Sequence, residues 1–295
     1  MELFEVGSRG ARTPSEGRLV VSVDYDGWSS LLNYYSVKHS PSLADSMVKE
    51  EDGVTLLLDV FAKHDVNATF FVPGEIVERH PDKVKEISKE GHEVGCHGLI
   101  HTKNECLLSK TKQEESIKKS TQLIEDVTGT RPSGFRAPCL RANQTTLEVL
   151  RDLGYIYDSS FLPMFLPGAY GSLSFKFKPY FPLPGRDDFL EIPVSANPII
   201  PLPFSGSWLR NLGSPWVKFG IKLLSDLSCP VSLYVHPRDV LELPITLGVP
   251  WHIYRNTGKK CLEILDSVLR YVERLGVRSL RALDLAQEEL KVSKS

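Results

Sequence analysis

The chain has 295 residues, 41% hydrophobic and 24% charged, enough to bury a core in one large α/β domain or two small ones. A formal net charge of −2, without a basic run, excludes the electrostatic footprint of a nucleic-acid or anionic-membrane partner. Cys96, Cys106, Cys139, Cys229 and Cys261 are scattered and odd in number, which argues against a disulfide framework and a cysteine zinc site.

The opening MELFEVGSRGARTPSEG mixes both charge signs and lacks an apolar run of signal-peptide length. No later stretch approaches the ~20 apolar residues of a membrane span. The expectation is a polar extension over residues 1–17 and one domain over 18–295, in the cytoplasm. RLVVSVD at 18–24 predicts a buried strand, and 53–65 a helix with Val54, Leu57, Leu58 and Phe61 on one face. ATFFV at 68–72 predicts a strand broken by Pro73 and Gly74; a helix follows from Pro81 to Gly91, then a short strand in HEVG. A charged helix runs from about Ser109 to Thr128 and stops at Gly129. GFRAP is the fourth strand, TTLEVLRDL a helix capped by Asn143 and ended by Gly154, and YIYDSS the fifth strand. FLEIPV near 189–194, a helix near 215–227 and the strand VSLYV at 231–235 come next. The last helix has Leu262, Leu265, Leu269 and Val272 on one face, before a final VRSL strand. Strands alternating with helices imply parallel strands with helical crossovers, and seven or eight such units favour a β/α barrel. Residues 161–188 and 198–215 interrupt the rhythm with long segments rich in Pro, Gly and aromatic residues; 161–188, with Trp208, reads as one wall of a substrate cleft, with a surface excursion as the alternative.

Asp24 and Asp26 stand two apart at a strand end, on one side of it and at the mouth where α/β folds place ligands. Like charges that close need a cation or a shared proton; a turn pair is the alternative. His97 and His101, in HEVGCHGLIH, have a spacing that lets two imidazoles converge on one ion. Two histidines and a carboxylate form an open site with room for water. His92 reads as facing away, and His39, His64 and His80 as surface residues. Arg136, ending the GFRAP strand, either orients a catalytic carboxylate or makes an ordinary salt bridge. His236, just past VSLYV, reads as a general acid or a capping histidine.

In this order, VDYDG, HEVGCHGLIH, FRAP and LYVHP resemble the motifs of the polysaccharide deacetylase family, carbohydrate esterase family four or the NodB-homology domain, over about Arg18 to the end. YDSS, LEIPV, LPFSGSWLR and LYVHPRD also resemble the deacetylases of exopolysaccharide biosynthesis. The resemblance implies a distorted (β/α)7–8 barrel as a single α/β domain, with one divalent ion, usually zinc and sometimes cobalt or nickel. It implies Asp26, His97 and His101 as ligands, Asp24 as general base held by Arg136, and His236 as general acid. Pro138, Cys139 and Trp208 are the implied substrate contacts, with a backbone N–H near Cys139 for the oxyanion. The implied reaction is removal of an N-acetyl group from an amino-sugar-containing saccharide. Cyclic-amide or ureide hydrolysis, amino-sugar deformylation and saccharide binding without catalysis are the alternatives. Three departures stand out. Gly98 replaces the usual Ser or Thr, Cys139 replaces an aromatic residue, and the DxxDW-type motif that tunes the acid histidine is not evident.

Overall fold

A computed structural model describes residues 17–40, 44, 47–163 and 176–293. Its centre is β1 (Arg18–Asp24), whose valines and leucine are buried on both faces, as suits a strand covered from both sides. β1 pairs in parallel with β2 (Thr69–Val72), β7 (Val231–Val235) and β8 (Arg278–Leu280). From β2 the sheet continues, still parallel, through β3 (Glu93–Cys96), β4 (Gly134–Phe135), β5 (Tyr157–Asp158) and β6 (Leu190–Glu191). Irregular chain bridges the opening between β6 and β7. The Ser195 N–H donates to Ser232 O at 3.0 Å, and Ser205 bridges to Tyr234. The result is the expected distorted β/α barrel, a single α/β domain.

The two-residue period of β1 sorts its side chains. Leu19, Val21 and Val23 join the large cluster formed with the surrounding helices. Val20 joins an interior cluster with Phe71, Tyr157 and Leu280. Ser22 and Asp24, on that same inner side, continue it toward the carboxyl ends of the strands.

The helices in chain order are α1 (Trp28–Tyr34), α2 (Glu50–Lys63), α3 (Gly74–Arg79), α4 (Pro81–Lys89), α5 (Lys110–Thr128), α6 (Gln144–Asp152), α7 (Gly206–Leu212), α8 (Ser214–Asp226), α9 (Lys259–Arg274) and α10 (Ala282–Val292). The expected cap at Asn143 and stop at Gly129 hold: Asn143 accepts the Thr146 N–H, and Gly129 closes α5 at φ 72°; Ser109, the expected helix start, also caps α5 by accepting the Lys112 N–H. Four helices were not anticipated: α1, α3, α7 and α10. Pro73 and Gly74 end β2 as expected and also open α3, because proline needs no N–H partner at a helix start. α7 lies inside the second irregular segment, and α10 follows VRSL, where Leu285 and Ala286 pack into the interior cluster.

His64 is a further correction. It is buried rather than superficial, its ring nitrogens reaching Glu273 Oε1 at 2.5 Å and Asp266 Oδ1 at 3.0 Å. Among the described residues no helix is long and apolar enough to cross a membrane.

Candidate active site

Five of the functional candidates sit at or just past the carboxyl ends of parallel strands. Asp24 ends β1, Asp26 follows two residues later, and His97, Arg136 and His236 each follow the last residue of β3, β4 and β7. Parallel pairing brings these ends to one mouth. A cavity of about 590 Å³ opens there, lined by Asp24, Asp26, His101, Cys139, Trp208 and His236 among others.

Arg136 is 1% exposed, so its charge needs partners on every side. Nη1 donates to Asp24 Oδ1 at 2.6 Å and to Ser22 Oγ at 2.9 Å. Nε donates to Ser159 O and Nη2 to Ser159 Oγ, both at 2.9 Å. The guanidinium lies 4.3 Å from the Phe71 ring centre and 5.3 Å from that of Tyr234. Such a planar, fully engaged fork fixes one Asp24 oxygen and leaves the other uncommitted to it. Burial would raise the Asp24 carboxyl, but the charge and hydrogen bond of Arg136 outweigh it and hold Asp24 below its usual range. Asp24 is therefore an ionised acceptor at neutral pH.

Burial likewise pushes the His97 ring down to about 4 and lowers His101, so both imidazoles are neutral. His97 Nδ1 lies 2.7 Å from Arg136 O, a carbonyl that can only accept, so Nδ1 carries the proton and Nε2 keeps its lone pair. Asp26 Oδ2 stands 3.4 Å from His101 Nε2. Two ligands each about 2.1 Å from a tetrahedral ion stand ~3.4 Å apart. Burial opposes ionisation of Asp26, but the Arg238 charge above all brings it down to about 2. By chemistry, Asp26, His97 and His101 fit a divalent cation. Among the described residues, however, no three His, Cys, Asp or Glu side chains form a ready cage. Arg238 Nη1 donates to Asp26 Oδ1, which leaves Oδ2 as the oxygen turned to His101.

His236 lines the cavity, and its Nδ1 lies 3.3 Å from Asp239 Oδ2, which also accepts the His236 backbone N–H at 2.8 Å. Arg210 Nε donates to Asp239 Oδ1 at 3.0 Å. Burial opposes the charge on Asp239, but Arg210 and His236 hold it well below the usual carboxylate range. Asp239 thus supplies, three residues after the histidine, the orienting carboxylate whose motif was missing. The only sequence signal was the i, i+3 spacing in HPRD. Arg210 and Arg238 had no such signal.

The substrate contacts divide. Trp208 and Cys139 line the cavity. Pro138 does not; it is buried, with Cγ 3.1 Å from where a Gly98 Cβ would stand. That closeness, with Glu105 Oε2 at 2.2 Å and φ of 77°, explains why residue 98 is glycine rather than Ser or Thr. Of the segment 161–188, residues 164–175 lie outside the described residues, and 161–163 and 176–188 are absent from the cavity lining. The second wall comes instead from Tyr34 and Tyr35 after β1 and from Trp251, Ile253 and Arg255 after β7.

Residues 43–157 match the family model described as polysaccharide deacetylase, and 159–264 match a domain of unknown function, DUF3473. A peptidoglycan deacetylase of Helicobacter pylori is 35% identical over 141 residues, 48% of this chain and 48% of that protein. Over residues 43–157 this chain is similar to polysaccharide deacetylases. It spans about half the length of the curated relatives that head the comparison. Among solved structures, a proposed polysaccharide deacetylase of Mycobacterium smegmatis superposes with a TM-score of 0.67 at 20% identity, over 99% of this chain and 96% of that one. The allantoinase PuuE superposes at 0.68 with 18% identity, over 93% of this chain and 90% of its own. At these identities the likeness is one of fold. The deacetylase match takes in His97, His101 and Arg136, whereas Asp24 and Asp26 precede it and His236 falls within the second match.

Proposed function

We propose that this chain is a metal-dependent hydrolase that removes an N-acetyl group from an amino-sugar-containing saccharide. The observation that carries the reading is the cavity mouth itself. An arginine-held aspartate and an aspartate-held histidine face it beside two neutral imidazoles and a second carboxylate.

Asp26, His97 and His101 would hold the ion, which when bound would polarise the acyl oxygen and make the attacking water more acidic. Asp24, with one oxygen fixed by Arg136, takes the proton of that water at its other oxygen as the water adds to the amide carbonyl. Leu140 N–H and Arg141 N–H are engaged by Ala137 and Pro138 carbonyls, so the Cys139 N–H is the backbone donor for the developing oxyanion. The turn that holds it has left-handed φ values of 57° at Cys139 and 53° at Leu140, and Cys139 lines the cavity. His236, whose Nδ1 faces Asp239, donates from Nε2 to the leaving nitrogen as the C–N bond breaks. Acetate and a free amine result. Trp208, Trp251, Tyr34 and Tyr35 offer flat faces of the kind that the apolar faces of sugar rings stack on.

An acetate-release screen of the metal-loaded protein against N-acetylated saccharides tests the reading. Ring opening of allantoin without acetate release would replace it with ureide hydrolysis. Saccharide binding without turnover in zinc, cobalt or nickel would leave a binding protein.

A further inference from the structure

Behind Arg136, away from the cavity, lie two carboxyl groups that the mechanism does not use. Asp158 and Glu191 are register partners on β5 and β6, and both are fully buried. One oxygen of each is accounted for. Asp158 Oδ1 accepts from Ser160 Oγ at 2.6 Å, and Glu191 Oε1 accepts the Phe161 N–H at 3.1 Å. The other two, Asp158 Oδ2 and Glu191 Oε2, are buried and have no N–H or O–H donor. As register partners on neighbouring parallel strands, the two side chains point to the same side of the sheet, where each carboxyl acts on the other's ionisation. Two carboxylates buried side by side cannot both ionise at little cost, and one proton between them would give both orphaned oxygens a partner.

We infer that Asp158 and Glu191 share one proton, and that this pair positions Arg136 and, through it, the Asp24 carboxylate. The connections run through Ser159 and Ser160. Ser159, next to Asp158, receives two of the Arg136 N–H groups on its O and Oγ. Its Oγ donates in turn to Ile192 O, next to Glu191, at 2.8 Å. Ser160 Oγ, bonded to Asp158, accepts the Ala137 N–H at 2.8 Å, adjacent to Arg136. The shared proton therefore joins the ends of β5 and β6 at the point where Ser159 holds the guanidinium. With the proton gone, two buried negative charges repel across that joint. Arg136, from the end of β4, is the ionised group that faces the pair; Ser159, Ser160 and the Phe161 N–H supply its other polar contacts. Burial, with the neighbouring Asp158 charge, raises Glu191 well above the ordinary carboxyl range, in keeping with a retained proton, and burial raises Asp158 to about 6.

Two measurements on the whole chain test this. The first is infrared spectroscopy of the wild type at neutral pH. It should show the C=O band of a buried protonated carboxyl, lost in both Glu191→Gln and Asp158→Asn, where an amide N–H takes the place of the proton. No such band, or a band that survives both variants, overturns the shared proton. The second is the pH profile of turnover, and it rests on the proposed deacetylase reading. Glu191→Leu should lower kcat at least tenfold with KM kept. Glu191→Gln should restore most of that loss and move the alkaline limb of kcat up by at least one pH unit. A wild-type profile in Glu191→Gln, or equal losses in the Leu and Gln variants, overturns the positioning role. If Glu191→Leu does not fold, the Gln profile decides alone. A chain with the infrared band but no turnover on any substrate would overturn the deacetylase reading and the positioning role, and keep the shared proton. Unfolding then gives a second check on that proton. The native pair keeps a proton that an unfolded chain releases near pH 4.5, so wild-type stability falls as pH rises from there, and Glu191→Gln loses that slope. Equal slopes count against the pair.

Discussion

At the scale of single residues, the site separates charge that must stay from charge that must move. Asp24 is kept ionised by Arg136, so it is ready to accept a proton at neutral pH. Asp24→Asn preserves shape and removes the base. It should keep metal affinity and lower kcat by ~10²–10⁴-fold, read by acetate release alongside metal titration. If the variant loses the metal instead, the roles of Asp24 and Asp26 are exchanged. His236 is held by Asp239, a hydrogen-bonding carboxylate that fixes which ring nitrogen faces the cavity. His236→Ala should keep the metal and lower kcat on an amide more than on an activated ester, whose leaving group needs less protonation. Equal losses on both substrates would contradict the acid role. Asp239→Asn should lower amide turnover on the order of 10–100-fold with substrate binding kept, the size usual for a group that orients a catalytic one.

At the scale of elements, the cavity wall depends on how α7 and α8 sit against the barrel. Gly220 in α8 packs on Phe204: a Cβ there would stand 2.1 Å from Phe204 Cζ. Phe204 is fully buried and hydrogen-bonds across to Ser195 and Tyr234, the irregular closure between β6 and β7. It is followed by Ser205, the N-cap of the helix that carries Trp208. Gly220→Ala should therefore cost ~1–3 kcal/mol by overpacking, read as a lower Tm, and should raise KM by displacing Trp208. Unchanged Tm and KM would mean that Phe204 moves freely and does not set the wall. Trp208→Ala is the direct probe. It should raise KM severalfold with the fold intact, and an unchanged KM would remove Trp208 from the substrate contacts.

At the scale of the whole molecule, acid stability depends on histidines that folding buries uncharged. His92 Nδ1 accepts the Ala68 N–H at 3.0 Å, joining the start of β3 to that of β2, and burial pushes the ring down to about 4. An unfolded chain protonates the same ring near 6.5. Between these values the unfolded state binds more protons, so this contribution is complete above pH 6.5 and is lost as pH falls toward 4. His92→Asn can keep an acceptor for the Ala68 N–H and does not titrate. Its Tm should fall less than that of the wild type between pH 7 and pH 5, and parallel curves would refute the assignment.

What the sequence determined by itself is what local chemistry can specify. Valine runs, helical spacing, the cap at Asn143 and the stop at Gly129 were enough for the alternation of strands and helices and for a barrel. Strand-end positions were enough to bring Asp24, Asp26, His97, Arg136 and His236 to one mouth, because a strand-end position survives any detail of packing. Tertiary structure alone decided which side chains meet across long separations. Arg210 reaches Asp239 over 29 residues and Arg238 reaches Asp26 over 212, and no local pattern encodes such encounters. The same holds for Pro138, whose place beside Gly98 rather than in the cavity follows from the turn it starts. His64 was misread because burial depends on what α9 lays over it. α7 and α10 were missed because short helices draw their stability from the surface they cover, and that surface exists only once the barrel has closed.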